Sequence, residues 1–406
     1  MMFFDGLEAD VEFGKTLQER EFTFQQGTVP LNHGSYGAVA RRMQEVQRCF
    51  LTEMNAQPDL WFRDSVNKHW DESVRAAARF FNCDSQDIVF VTNATEGINA
   101  VLKCYDFKEG ETILSTSLTY GAVALTCRDV AAQNRVIKSE VLEIRFPIES
   151  DEAVLRQYEE YLQNHPKTRI VVIDHITSPS AVLLPVKKLA KICHKHGALV
   201  LVDGAHAPGH VPLDLEDLCV DFYTGNFHKW LFTPRGCAVL YVNRKHHDWI
   251  KPLVTSHSAD GSLGEQFRQA GTRDHVPFVC AKYALEFCDR IGGMDRIMSY
   301  CSELAAEAQE YLAQLFQTDK PALPRDMEAP NMKLVQLPEI YPPLRKEQFQ
   351  DFFMDFWRKT NIQTVAFELQ GKAYLRVSPC IYNYMEEYRL LGQSVLEYIK
   401  KLNNSQ

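Results

Sequence analysis

The chain has 406 residues, 45% of them hydrophobic and 24% charged, and a formal net charge of −9. That length exceeds what one hydrophobic core usually serves, and the composition excludes a disordered or fibrous chain. The acidic balance opposes a nucleic acid or an anionic membrane as partner, since both demand clustered Lys and Arg, and no apolar run reaches spanning length; a small-molecule substrate is expected.

In chain order, β-rich apolar runs at 88–91, 112–114, 169–173, 198–202, 221–223 and 238–242 alternate with helical patterns. Near-continuous apolar strands separated by helices predict an α/β fold with a mostly parallel sheet covered on both faces. The span 186–196 shows the helical logic: Val186, Leu189, Ala190 and Cys193 share one face, Lys195 and His196 close the last turn, and Gly197 follows as a cap. From about residue 287 the pattern changes to helices at 294–316 and 346–360, a strand at 373–378 and a helix at 386–402, with a proline-rich connection over 321–330. The expected division is a large domain with an N-terminal arm over 1–286 and a smaller α+β domain over 287–406.

Eleven scattered cysteines with no CxxC pair and no zinc spacing read as reduced, mostly buried thiols. The first residues carry Asp5, Glu8 and Asp10 and no basic stretch, and the last four, NNSQ, are no peroxisomal signal, so a cytoplasmic setting is expected.

The chemistry concentrates in two stretches. Val200-Leu201-Val202-Asp203 puts an acid at the carboxyl end of a buried strand, where ligands of open α/β sheets bind. Asp203 before Gly204 is also the composition of a strand-ending turn. Lys229 follows in Phe227-His228-Lys229-Trp230-Leu231, which is too apolar for an exposed face, and burial favours the neutral, nucleophilic amine. A lysine that condenses with an aldehyde and a carboxylate that keeps a pyridine nitrogen protonated are what pyridoxal 5′-phosphate (PLP) requires. A third stretch, Thr92-Asn93-Ala94-Thr95-Glu96, leaves one strand and enters a helix, which makes an anion site; Thr95 could equally serve only as the helix cap.

With these residues the chain resembles the class-V aminotransferase superfamily of PLP enzymes. Leu31-Asn32-His33-Gly34-Ser35-Tyr36-Gly37, the stretch from Met54 to Trp61 and Thr224 to Leu231 resemble its isopenicillin N epimerase-like branch, which includes hercynylcysteine sulfoxide lyases and is related to cysteine desulfurases. The resemblance runs from about residue 13 to 383. It implies PLP fold type I, with a mostly parallel seven-stranded sheet, and a homodimer with shared active sites.

It also implies roles. Lys229 would carry the cofactor as a Schiff base and move protons, Asp203 would pair with the ring nitrogen, and His206 would contact the ring or its phenolic oxygen. Ala94, Thr95 and Glu96, joined by Asn226 and His228, would hold the phosphate. Tyr120 would cover the ring, and Ser178 stands near the family's Asn. Gly271 and Thr272 fall in a segment that reaches the other subunit's phosphate. Arg376, helped by Asn32 and His33, would grip a substrate carboxylate. The expected activity is C–S (β) lysis of a cysteine-derived conjugate or sulfoxide, with an epimerase, a desulfurase, an aminotransferase or a catalytically silent scaffold as alternatives. In the related desulfurases a mobile cysteine precedes the small-domain arginine. Residues 361–374 contain none here, and Cys380, between Pro379 and Ile381, reads as packed.

Overall fold

The computed structural model describes residues 3–134 and 136–404. Twelve strands are defined among these: β1 (Val29–Pro30), β2 (Ile88–Val91), β3 (Thr112–Thr116), β4 (Lys138–Leu142), β5 (Thr168–Asp174), β6 (Leu199–Asp203), β7 (Phe222–Asn226), β8 (Ala238–Val242), β9 (Lys333–Gln336), β10 (Ile362–Gln363), β11 (Val365–Leu369) and β12 (Lys372–Val377). Seven of them form the main sheet in the order β2-β8-β7-β6-β5-β3-β4. All pairings are parallel except those of β8, which runs against both β2 and β7. The expected α/β sheet is thus present, and the predicted strands agree to within a few residues.

Alternation along each strand explains the burial on both sides. Phe90, Val171, Ile173, Val200, Val202 and Val239 point into one core. Val89, Val91, Ile170, Val172, Leu201 and Leu240 point into the other, against the helices Ala94–Cys104 and Gly121–Asn134. Each such side chain contributes roughly 1.5–3 kcal/mol by leaving water. The edge strand β4, Lys-Ser-Glu-Val-Leu, escaped the sequence reading because an edge needs no apolar run and this one is largely solvated.

A second, antiparallel sheet of order β11-β12-β9 is covered by the helices Met294–Phe316, Phe349–Thr360 and Met385–Asn404, and these share a separate core that includes Leu304, Phe353, Leu375 and Val395. A parallel pair, β1 with β10, and a bridge from Asn32 to Ser378 stitch residues 29–32 to the strand region that carries Arg376.

This arrangement sets where chemistry can occur. The parallel strands β5, β6 and β7 end at one rim, which places Asp174, Asp203 and Asn226 there. The helix Ala94–Cys104 starts at the same rim, because Asn226 Oδ1 accepts a hydrogen bond from the Ala94 amide at 2.9 Å. No helix among the described residues is long and apolar enough to cross a membrane, and all eleven cysteines are free thiols.

Candidate active site

β7 runs directly into the short helical turn Phe227–Trp230, whose Phe227 and Trp230 are buried and anchor it. Lys229 rides on that turn with Nζ 3.0 Å from Nε2 of His206. Burial lowers the Lys229 amine to about 7; the Asp203 charge opposes this and Arg376 adds to it. Burial also drives His206 well below its ordinary range, so its imidazole is neutral, and its Nδ1 is buried without a partner among the described residues. Asp203 is 4% exposed and accepts from the Ala205 amide at 3.0 Å. Burial pushes its carboxyl up, while the Ala205 amide and the Lys229 charge pull it back.

The helix Ala94–Cys104 is capped by Asn93, whose Oδ1 accepts from the Glu96 amide at 2.9 Å. The reading of Thr95 as a plain cap is therefore corrected: Thr95 lies inside the first turn, one residue beyond Ala94. Glu96 folds back, its carboxylate accepting from the Thr92 amide at 2.7 Å and from the Thr92 hydroxyl. His228 donates Nδ1–H to the Cys237 carbonyl at 3.0 Å; a carbonyl only accepts, so this bond fixes the tautomer, and burial holds the ring neutral by lowering it to about 4.

Arg376, on β12, is 2% exposed. Its Nη1 donates to the Ser178 carbonyl at 2.9 Å, and its Nη2 donates to Asn32 Oδ1 at 2.8 Å and to Ser35 Oγ at 2.9 Å. Ser35 Oγ in turn donates to Asn32 Oδ1 at 2.9 Å. Nε has no partner among the described residues. Burial lowers the guanidinium to about 10, which leaves it charged at neutral pH.

The remaining expected residues lie as follows. Ser178 meets Arg376 through its backbone, not its side chain. His33 lies behind the lysine turn, its ring centroid 4.9 Å from that of Trp230 and its Nδ1 3.0 Å from the Tyr382 hydroxyl. Burial lowers it to about 3, so the ring is neutral, and its Nε2 is buried without a partner among the described residues. Tyr120 is 45% exposed, with its amide donating to Asp174 Oδ1 at 3.2 Å. Gly271 and Thr272 lie on an exposed loop beside Phe62, Arg63 and Arg268.

Two residues at this rim escaped the sequence reading. Ser35 could have been found from its spacing, since one helical turn puts it three residues beyond Asn32, over the same point. Asp174 could have been found from its pattern, because Val171-Val172-Ile173-Asp174 repeats the apolar-run-then-acid signature of Asp203.

Residues 41–333 match the sequence profile of the family described as Aminotransferase class-V. The chain belongs to that family. Among curated relatives it is 27% identical to the hercynylcysteine sulfoxide lyase of Schizosaccharomyces pombe, over 94% of this chain and 96% of that protein. It is 28% identical to an L-cysteine desulfhydrase of Arabidopsis thaliana, over 94% of this chain and 90% of that one. Its fold matches that of a cysteine desulfurase from Thermococcus onnurineus NA1 with a TM-score of 0.76, at 20% identity, over 97% of this chain and all of the other.

PLP is the cofactor of this class-V family. The residues at the rim fit it: a buried amine lowered to about 7 for the aldehyde, a buried acid for the ring nitrogen, an unpartnered buried imidazole nitrogen, and a helix start for the phosphate.

Proposed function

We propose that the protein is a PLP-dependent C–S lyase acting on a cysteine-derived conjugate or sulfoxide. The carrying observation is the Lys229 amine, lowered to about 7, 3.0 Å from a neutral His206 and electrostatically coupled to both Asp203 and Arg376. Bound there, the cofactor supplies the electron sink that makes loss of an α-proton and then of a β-substituent feasible.

The chain's own residues do the rest. Asp203 would hold the ring nitrogen protonated, and Tyr120 would cover the ring. Thr95 would offer first-turn donors to the phosphate, while Ala94 and Glu96, their amides held by Asn226 and Asn93, would fix the turn beside it together with His228. Arg376 receives the substrate carboxylate, held in place by Asn32, Ser35 and the Ser178 carbonyl. Lys229 Nζ then takes the α-proton, and neutral His206 accepts a hydrogen bond that keeps the amine aimed.

The names of the two curated relatives support lysis at sulfur, and the absence of a cysteine from residues 361–374 disfavours a persulfide-forming desulfurase. We also place a second copy of the chain against the exposed Gly271-Thr272 loop, where it would complete the phosphate contacts, and assign a cytoplasmic setting on the strength of the eleven free thiols. The test is incubation of the PLP-loaded protein with cysteine conjugates and their sulfoxides. Pyruvate and ammonia in equal amounts support the reading; inversion at the α-carbon, or amino transfer to a keto acid, without pyruvate sinks it.

A further inference from the structure

Asp174 ends β5 as Asp203 ends β6, and parallel pairing sets the two residues in register. Paired residues on adjacent strands project from the same face about 5 Å apart. Two carboxyls therefore share one rim, at 2% and 4% exposure. Asp174 Oδ1 accepts from the Tyr120 amide at 3.2 Å, while Oδ2 is buried with no partner among the described residues. An ionised carboxylate with an unmatched oxygen is costly at that depth, and a second one beside it is costlier still; a proton on one of them relieves both costs.

Asp174 has no part in the chemistry assigned to Lys229, His206 and Asp203. Resting on the cofactor-site reading, we propose that Asp174 is a positioning residue of this site, a protonated acid that leaves the single negative charge on Asp203 and fixes Tyr120 over the cofactor through the Tyr120 amide. Its carboxyl is raised to about 8, by burial first and by the Asp203 charge second, with the Thr119 hydroxyl and the Tyr120 amide opposing. The other titratable groups that face it are Cys127 on the helix Gly121–Asn134 and Tyr158 on the helix Asp151–Asn164, with Lys229 beyond Asp203. Burial raises both the Cys127 thiol and the Tyr158 phenol, so at neutral pH neither carries charge.

A carboxyl raised from 3.8 to about 8 on folding contributes stability that is present below the unfolded value and lost as pH rises through the folded one. An amide at this position keeps the acceptor for Tyr120, carries no charge and has no such pH dependence.

The experiment compares wild type, Asp174→Asn and Asp174→Ala as full-length chains, without substrate. Melting of the cofactor-free proteins is followed from pH 5 to 8, and cofactor affinity is read from the visible absorbance of the bound form. The expected result is a wild-type melting temperature that falls relative to Asp174→Asn as pH rises. Cofactor affinity should stay within about threefold of wild type in Asp174→Asn and weaken about tenfold or more in Asp174→Ala, as loss of one buried hydrogen bond implies. Parallel pH curves for wild type and Asp174→Asn, affinity in Asp174→Ala equal to wild type, or Asp174→Asn as weak as Asp174→Ala would each overturn the proposal. A wild-type protein that binds no cofactor would overturn the cofactor-site reading and this inference together, and so is distinguishable from failure of the inference alone.

Discussion

Lys229 was legible because an ordinary lysine does not sit among Phe227, Trp230 and Leu231, and the same burial sets its chemistry. Only the unprotonated amine attacks an aldehyde, so capture of PLP by the cofactor-free protein should accelerate as pH rises through about 7 and then level off. Stopped-flow absorbance would measure this; a rise centred near 10 would mean an ordinary exposed lysine. Lys229→Ala should remove both the visible band and turnover. At the proposed carboxylate clamp, Arg376→Ala should raise KM about 10- to 100-fold, the range for hydrogen bonds to a charged group, with Ser35→Ala raising it less. Equal KM values across these variants would remove the clamp from substrate binding. Ser35 was missed because its spacing from Asn32 gains meaning only once the arginine that both steady is brought against them from a distant strand.

At the scale of elements, strong periodicity was readable and marginal elements were not. The helix Met294–Phe316 and the strands β2 and β8 have the predicted bounds, whereas the polar edge strand β4 gave no pattern to find. The helix start was located but its cap was not, since Asn93 and Thr95 are both good caps and only backbone geometry separates them. The segment before Arg376 forms the antiparallel pair β11 and β12, closed by Gln370 and Gly371 at positive φ. A paired hairpin without a thiol is ill suited to ferrying sulfur. Cys380, beyond it, is 1% exposed, and burial holds its thiol well above the ordinary range, against thiolate formation. Mass spectrometry during turnover should show no one-sulfur adduct on any cysteine, and Cys380→Ser should retain activity. An adduct accompanied by loss of activity in that variant would reassign the protein to the desulfurases.

For the whole molecule, the α/β class followed from strand composition alone, while strand order did not, because nothing local tells β2 to pair with β8 or tells β8 to run against its neighbours. The exposed loop that carries Gly271 and Thr272 belongs to this scale too. If a second copy completes the site, light scattering should give a two-chain mass, and Thr272→Ala should weaken cofactor binding in the intact dimer; a fully active single chain would refute the pairing.

The stitching of β1 to β10 has a consequence for biosynthesis. Asn32 and Arg376 touch although 344 positions separate them, so one half of the proposed carboxylate clamp leaves the ribosome long before the other. Strands β2 to β8 can assemble first and present Lys229 and Asp203 while β12 is still unmade, whereas the clamp must wait for a loop closure spanning most of the chain. A nascent chain stalled before β12 should therefore acquire the ability to capture cofactor without the ability to select substrate, and release of the finished chain should add the second property to the first. Arrested-chain measurements of PLP absorbance and of its response to added amino acid would show the two arriving in that order; simultaneous appearance would mean that the sheet itself waits for the arm to be fastened.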